Sequence, residues 1–151
     1  MEYTSLSPSE TERFGIRLSR ILRKNDVVLL SGPLGSGKTT LMKGIARGLG
    51  ILQPIVSPTF VLRRRYPIPQ RKGRALNHLD AYRIASAQEL RGLLDEAFQE
   101  NTEDLWCIEW GKKLRGRIPD HRVLLLSLKI LDERRRHFRL TTLRHGRGRA
   151  R

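Results

Sequence analysis

The sequence has 151 residues, enough for one domain that buries about two-thirds of its unfolded surface. Hydrophobic residues make up 38% and charged residues 30%, which is typical of a soluble globular protein and argues against a disordered one. No apolar run approaches the roughly 20 residues of a membrane-spanning helix. The N-terminus lacks a secretory-signal pattern, and the one cysteine cannot form an internal disulfide. We therefore expect a cytoplasmic protein with no membrane segment.

The net charge is unusually positive. Thirty Lys and Arg residues against fifteen Asp and Glu residues give a formal charge of +15 and a pI near 11.3. Such a field attracts polyanions, of which nucleic acid is the commonest inside cells. A basic proteome or a solvated arginine-rich surface explains the charge equally well, because net charge governs non-specific association and not fold.

The first part of the chain has the pattern helix, strand, loop, helix. Ser7 is a helix-capping hydroxyl followed by proline and an acid, and apolar residues recur at helical spacing up to about Arg23. Residues 27–30 are a short apolar run typical of a buried strand. A glycine-rich loop follows, and residues 39–49 are predicted to form an amphipathic helix that stops at Gly50.

The second part adds strands, one helix and a C-terminal hairpin. Residues 86–99 are predicted to be helical, with Gly92 as a candidate break between two shorter pieces. We predict extended segments over residues 56–66, 75–80, 105–110, 122–131 and 137–143, with a hairpin turn at residues 132–135. Strands alternating with helices favour an α/β fold closed by an antiparallel C-terminal hairpin. We expect residues 1–143 to form a single domain and the Arg/Gly-rich tail, residues 144–151, to be disordered.

The strongest motif is the segment GPLGSGKT at residues 32–39, a complete phosphate-binding loop of the form G-x-x-x-x-G-K-[ST]. Its glycines let successive backbone N–H groups turn inward around phosphate oxygens. Lys38 then reaches the β- and γ-phosphates, and Thr39 offers its hydroxyl to Mg²⁺ at the positive end of the helix. The strand before the loop and the helix after it are the context that this motif requires. The sequence therefore predicts binding of a nucleoside triphosphate.

A phosphate loop also needs an acid at the tip of a neighbouring strand to hold or orient the metal. Two residues qualify: Glu109 ends an apolar predicted strand, and Asp80 ends a more polar one. Either acid alone could make an ordinary strand-end salt bridge, but two of them beside an intact phosphate loop favour a role at the metal. The guanine-reading tetrapeptide Asn-Lys-x-Asp does not occur, which leaves adenine as the default base.

Four blocks of sequence together resemble the TsaE family (also called YjeE), small bacterial ATPases needed for the threonylcarbamoyl modification of the tRNA adenosine beside the anticodon. The resemblance extends from about residue 7 to about residue 143. It implies a P-loop NTPase-like three-layer α/β fold, with a mostly parallel central sheet and antiparallel C-terminal strands. The blocks are the phosphate loop at residues 32–40, SPTF at 57–60, HLDAYR at 78–83 and IEW at 108–110.

The resemblance also implies roles for individual residues. Thr39 and Glu109 would bind Mg²⁺, and Asp80 would lie beside the metal and orient either a water or a hydroxyl next to the metal ligands. Residues 57–60 would form a switch-like segment facing the γ-phosphate. Thr11 matches a family position near the adenine, and a basic residue before the last strand, Arg135 or Arg136, would line the nucleotide site. His78 is interpreted as a packed strand histidine and not as a catalyst. The implied nucleotide-binding set is Thr11, Gly35, Ser36, Gly37, Lys38, Thr39, Thr40 and Arg136, with Lys38, Asp80 and Glu109 as the catalytic set.

The function that the resemblance implies is Mg²⁺-dependent ATP hydrolysis that acts as a conformational switch on the TsaD–TsaB complex. The threonylcarbamoyl transfer itself would belong to TsaD, and tRNA would be met indirectly or through the basic surface. The sequence departs from the family pattern at Pro33, where an acid is usual, and at residues 111–113, where Gly-Lys-Lys replaces the usual Pro-Glu. Residues 63–74 and the tail are also unusually basic. These differences concern surface and partner contacts.

Two other classes of protein are compatible with a phosphate loop. A small-molecule P-loop kinase usually has an arginine-bearing lid and an acceptor pocket, for which this chain has little length left. A basic nucleic-acid-binding module with a vestigial ATP site would bind tRNA with a steep salt dependence and would not respond to Lys38→Ala.

Overall fold

Seven strands share one sheet in the computed structural model, which describes residues 1–58, 61–100, 102–115, 118 and 121–143. The strands are β1 (Glu2–Ser5), β2 (Asp26–Ser31), β3 (Arg63–Pro67), β4 (Ala75–Asp80), β5 (Leu105–Glu109), β6 (Arg122–Ile130) and β7 (Arg136–Leu143). The helices are α1 (Pro8–Ser19), α2 (Lys38–Gly48), α3 (Ala87–Glu100) and a short 3₁₀ helix (Gly111–Leu114). The order of strands across the sheet is β1-β7-β6-β2-β5-β4-β3.

The central strands β6, β2, β5 and β4 run parallel. At one edge β7 and β1 are antiparallel, and at the other β3 is antiparallel to β4. The predicted α/β fold with a mostly parallel centre and an antiparallel C-terminal hairpin is therefore confirmed. Because the carboxyl ends of β2, β4 and β5 meet at one edge, ligands are expected there, as in other open α/β sheets.

Helices cover both faces of the sheet, which gives the three layers that were expected. Alternate residues of β2 point to opposite faces: Val28 packs in the core under α1 and α2, whereas Val27 packs in the core under α3. Cys107 lies in the α1–α2 core, and Trp106 lies on the other face with Phe98. Burial raises the pKa of the Cys107 thiol to about 12, so this cysteine packs as a small apolar side chain.

The prediction of one extended segment over residues 56–66 is wrong. The Val61 N–H donates to the Pro58 carbonyl at 3.0 Å and closes a turn. Leu62 has a φ of 62°, a left-handed conformation that no regular strand uses. The strand therefore begins only at Arg63, after this turn. Residues 56–62 and 63–66 look equally extended in composition, so the sequence does not indicate the turn between them.

The candidate helix break at Gly92 is also wrong, since α3 is continuous. Gly92 lies on the exposed side of the helix, where an added Cβ would meet no atom within 4 Å. Leu90, Leu94 and Phe98 are buried on the opposite side. Their packing outweighs the helix cost of a glycine, about 1 kcal/mol.

The N-terminal segment contains a strand, β1, that was not predicted from the sequence, and a helix, α1, whose first residues were predicted correctly. Strand β1 has only four residues and pairs with β7, the last strand in the chain. Ser7 caps α1 by accepting a hydrogen bond from the Glu10 N–H, as predicted. The helix ends at Ser19, a turn earlier than expected.

None of the helices in the described part of the chain is long and apolar enough to span a membrane. The predicted tail, residues 144–151, lies outside the described residues.

Helices α1 and α2 approach so closely that glycine is required between them. A Cβ added to Gly44 would lie 2.1 Å from the Glu12 carbonyl oxygen, a backbone atom that cannot move independently of α1. Thr11 directly precedes Glu12 in α1, and its Cγ2 would lie 3.7 Å from a Cβ added to Gly37 of the phosphate loop. The contact between the helices thus fixes Thr11 against the phosphate loop.

We predict that Gly44→Ala lowers the free energy of unfolding by about 1–3 kcal/mol, because the methyl group must push α1 away. Gly92→Ala is the matched control: its Cβ meets open space, and we expect it to stabilise the protein by about 0.5–1 kcal/mol. Urea unfolding followed by circular dichroism measures both changes. Equal stability of Gly44→Ala and the wild type would contradict the close contact.

Candidate functional site

The loop between β2 and α2 has the backbone shape that a phosphate-binding loop needs. Gly35 and Gly37 have φ values of 76° and 96°, a region that favours glycine. The N–H groups in the first turn of α2, from Lys38 to Thr40, have no acceptor within the helix and carry its positive end. The Ser36 hydroxyl is fully buried in this loop and has no hydrogen-bond partner among the described residues. The N–H groups of this first turn, and not the Ser36 hydroxyl, which lines neither cavity of the site, are the donors that fit a bound anion.

The Lys38 side chain is folded into the loop. Its Nζ donates to the carbonyl oxygens of Gly32 and Pro33, each at 2.9 Å. Only 6% of the residue is exposed, and this burial lowers the pKa of Lys38, while the nearby Glu109 and Asp80 oppose the shift. No carboxylate of the described residues lies within ion-pairing distance of Nζ. The site therefore holds a buried cation that an anionic ligand would stabilise.

Two carboxylates lie at the ends of neighbouring strands, opposite this lysine. Asp80 of β4 and Glu109 of β5 are register partners, and both are almost fully buried. An Asp80 oxygen accepts a hydrogen bond from the Tyr82 N–H at 2.9 Å. Asp80, Glu109, Lys38 and Thr39 all line one cavity of about 620 Å³. The structure thus brings together the residues that were predicted to be catalytic and metal-binding.

The donors in this cavity fit Mg²⁺ that is shared with a phosphate ligand. Glu109, Asp80 and the Thr39 hydroxyl supply oxygen atoms, which Mg²⁺ prefers. In the described ranges, no cluster of three or more His, Cys, Asp or Glu residues could hold a metal alone. Mg²⁺ in phosphate sites usually keeps several waters and takes further ligands from the substrate phosphates.

Glu109 has a partner that sequence reasoning did not identify. The His78 Nε2 lies 2.8 Å from a Glu109 carboxylate oxygen, and His78 is fully buried. The interpretation of His78 as a packed strand histidine is right about its burial and incomplete about its contact. Both residues belong to blocks noted in the sequence, but nothing in their separation of 31 residues indicates that they touch.

Aromatic side chains form one wall of the cavity. Trp110, directly after β5, has a φ of 59°, and its ring lies 4.9 Å from Lys38 Nζ and 5.2 Å from the Tyr82 ring. The Lys113 ammonium donates to the carbonyl oxygens of Ala81 and Ile84, which ties the 3₁₀ helix to the loop after β4. The lysine that departs from the family pattern therefore braces the loop that carries Tyr82.

The remaining predicted residues lie on the other side of the phosphate loop. Thr11 and Arg136 line a second cavity of about 240 Å³, which shares Gly35, Gly37 and Thr40 with the first. The Arg136 Nε donates to the Gly35 carbonyl at 3.2 Å. Arg135 instead pairs with Asp132, so Arg136 is the residue of the two that reaches the loop.

The Thr11 hydroxyl is hydrogen-bonded to the buried Ser5 hydroxyl at 2.8 Å, which couples β1 to this cavity. Of the predicted switch-like segment, Ser57 lines the first cavity. Residues 59 and 60 lie outside the described residues.

Comparisons with known proteins agree with this geometry. Residues 5–138 match the family model described as threonylcarbamoyl adenosine biosynthesis protein TsaE. Curated relatives named tRNA threonylcarbamoyladenosine biosynthesis protein TsaE include one from Treponema pallidum, 37% identical over 134 residues, which covers 88% of this chain and 94% of the relative. Another, from Bacillus subtilis, is 31% identical over 138 residues, covering 89% of this chain and 82% of the relative.

A solved structure is also similar. The crystal structure of Bacillus subtilis YdiB matches with a TM-score of 0.74 and 26% sequence identity, over 95% of this chain and 86% of that one. The family match spans the phosphate loop, both strand-end carboxylates and His78, which precedes Asp80 in β4. This chain belongs to the TsaE family, whose members take part in tRNA threonylcarbamoyladenosine biosynthesis.

Proposed function

We propose that the protein is a Mg²⁺-dependent ATPase that serves as a nucleotide switch for the TsaD–TsaB complex in this pathway. One observation carries the proposal: a single cavity combines the phosphate loop and its lysine with two buried carboxylates at neighbouring strand ends. Family membership supports the pathway, and the site geometry supports the chemistry.

The two cavities suggest how a nucleotide would lie. Phosphates would bind at the loop between them, near Lys38 and the first turn of α2. The base and ribose would extend towards Thr11 and Arg136 in the second cavity. ATP is favoured over GTP because the guanine-reading tetrapeptide is absent from the sequence.

Thr39 and Glu109 would hold Mg²⁺, which when bound neutralises charge on the β- and γ-phosphates. Lys38 adds a second positive charge on the same side of the cavity. Asp80, whose orientation the Tyr82 N–H fixes, would position the attacking water. Catalysis would be mostly positioning and charge neutralisation, so turnover by the isolated protein should be slow if partner contact completes the site.

Exposed apolar groups at the cavity support a partner contact there. Leu34, at the tip of the phosphate loop, is 90% exposed, and Tyr82 is 65% exposed. Both side chains line the nucleotide cavity. A partner such as TsaD–TsaB that covered them would respond to whether nucleotide is bound, which is the property a switch requires.

A direct contact with tRNA is a second proposal, supported by the segment from β3 to β4. Residues 61–79 contain six Lys and Arg residues and no acid. Arg63 and Arg65 pair with Glu100 and Asp104. Arg64, Arg71 and Lys72 have no ion-pair partner among the described residues and would be available for phosphates of the tRNA backbone. We call these three residues the basic edge: Arg64 lies on the edge strand β3, and Arg71 and Lys72 lie in the loop that leads from β3 to β4.

We predict that Lys38→Ala abolishes ATP hydrolysis and weakens ATP binding at least tenfold, because the buried ammonium faces the phosphates. Lys43→Ala is the matched control, since Lys43 is exposed on the same helix. A phosphate-release assay and calorimetry with ATP measure the two effects.

The same variants test the switch. TsaD and TsaB should co-purify with the wild type and with Lys43→Ala in the presence of ATP, and less with Lys38→Ala. Co-purification of TsaD and TsaB that is the same with and without ATP, and the same for the wild type and Lys38→Ala, would rule out the switch. Fast hydrolysis that TsaB and TsaD leave unchanged would also count against it.

We predict that Mg²⁺ and a non-hydrolysable ATP analogue change the tryptophan fluorescence, because the Trp110 ring lies beside Lys38 in the cavity. Trp110→Phe should remove this change. Trp106 is the internal control, since it is 1% exposed and lies in the other core. A full signal in Trp110→Phe would contradict nucleotide binding in this cavity.

We predict that replacing Arg64, Arg71 and Lys72 of the basic edge by Ala weakens tRNA binding and lowers its salt slope by about one per lost phosphate contact. A control that replaces the exposed Arg13, Arg20 and Lys43 by Ala removes the same charge elsewhere. Filter binding at several salt concentrations measures both. Equal weakening in the two variants would show that net charge alone attracts the RNA.

A further inference from the structure

We propose that His78 is a positioning residue for Glu109. It donates its Nε2–H to one carboxylate oxygen and thereby directs the other oxygen at the metal of the bound nucleotide. The inference rests on the proposed function, because it assigns the orientation of a group that would bind Mg²⁺.

The register of the sheet explains how these two residues meet. His78 lies opposite Cys107 on the neighbouring parallel strand, and Asp80 lies opposite Glu109. Residues two apart along a strand point to the same face, so His78 and Asp80 share a face of β4, and Cys107 and Glu109 share a face of β5. The small Cys107 side chain lies in the core under α2, and the imidazole reaches diagonally past it to Glu109.

The contact is well isolated. His78 is 0% exposed and the Glu109 side chain is 6% exposed. Within the described ranges, the Glu109 carboxylate has His78 as its hydrogen-bond partner, at 2.8 Å. A carboxylate that binds a metal only accepts hydrogen bonds, so under the proposal the proton of the contact lies on Nε2. The other ring nitrogen, Nδ1, is buried and has no partner in the described part of the chain, so no second hydrogen bond competes for the ring.

Fixing one oxygen matters because a carboxylate that is free to rotate must be ordered when it binds a metal. Hydrogen bonds from outer residues commonly orient carboxylate ligands, and their loss costs roughly 10–100-fold in metal affinity or activity. Asp80 is oriented separately by a backbone N–H. This support of Asp80 does not involve His78, and a change at His78 should therefore act first on Glu109.

The test measures Mg²⁺ affinity in the presence of a non-hydrolysable ATP analogue, and analogue affinity without metal, by calorimetry. We expect His78→Leu to weaken the Mg²⁺ affinity roughly 10–100-fold and to leave metal-free analogue binding within about twofold. His78→Gln, whose amide nitrogen can replace Nε2, should restore most of the Mg²⁺ affinity. His137→Leu is the control for loss of a histidine, since His137 lines neither cavity.

Unchanged Mg²⁺ affinity in His78→Leu would overturn the inference. Equal loss of metal-dependent and metal-free binding, without rescue by His78→Gln, would overturn it as well, because a purely structural role predicts that result. If His78→Leu does not fold, ¹⁵N NMR of the wild-type imidazole decides: we expect an Nε2–H signal that shifts when Mg²⁺ is added to the analogue complex. An Nδ1–H tautomer, or a signal that ignores Mg²⁺, would overturn the proposal.

These outcomes separate the inference from the proposed function. A wild type that binds no nucleotide with Mg²⁺ overturns both. Normal wild-type binding together with an unaffected His78→Leu overturns the role of His78 and leaves the ATPase proposal intact.

Discussion

The site depends on one constraint: parallel strands of the sheet end at the same edge. Hydrogen bonds between β2, β5 and β4 hold this register, so the phosphate loop, Glu109 and Asp80 follow three adjacent strand ends. The Trp110 N–H donates to the Leu30 carbonyl, which continues the pairing one step beyond β5. A slip of one residue in β5 would turn Glu109 to the opposite face and separate it from both Lys38 and His78.

Buried charge at this edge gives the site its chemical character. Lys38, Asp80 and Glu109 are each 5–6% exposed, yet no direct ion pair joins the lysine to either acid among the described residues. Burial of a charge without a close partner is costly, and the lowered pKa of Lys38 reflects that cost. A ligand that combines phosphates with a divalent cation would place an anion beside Lys38 and a cation beside Glu109. The separation of the charges therefore favours such a ligand over a simple anion or a simple cation.

The sequence was informative where a short motif determines local structure. The phosphate loop requires a strand before it, a helix after it and left-handed glycines within it. The structure has β2 before the loop, α2 after it, and left-handed conformations at Gly35 and Gly37. Strand β4 was predicted at its observed bounds, because Gly73 and the polar Asp80 mark its two ends. The family resemblance then placed Thr11 and Arg136 near the loop, although they are 125 residues apart.

Contacts between distant segments could not be read from the sequence in the same way. Strand β1 has no apolar alternation of its own and is stabilised by β7, so its composition gave no signal. The turn at Leu62 depends on a residue in a left-handed conformation that is not glycine. The pairing of His78 with Glu109 required the parallel register of β4 and β5, which periodicity does not fix.

The most direct test is a crystal structure of the protein with Mg²⁺ and a non-hydrolysable ATP analogue. The account predicts phosphates within the loop at residues 32–39. It also predicts a metal about 2.1 Å from the Thr39 hydroxyl and the near oxygen of Glu109. The His78 contact should be retained on the far oxygen. A nucleotide bound away from the loop, or a metal that contacts neither Thr39 nor Glu109, would contradict it.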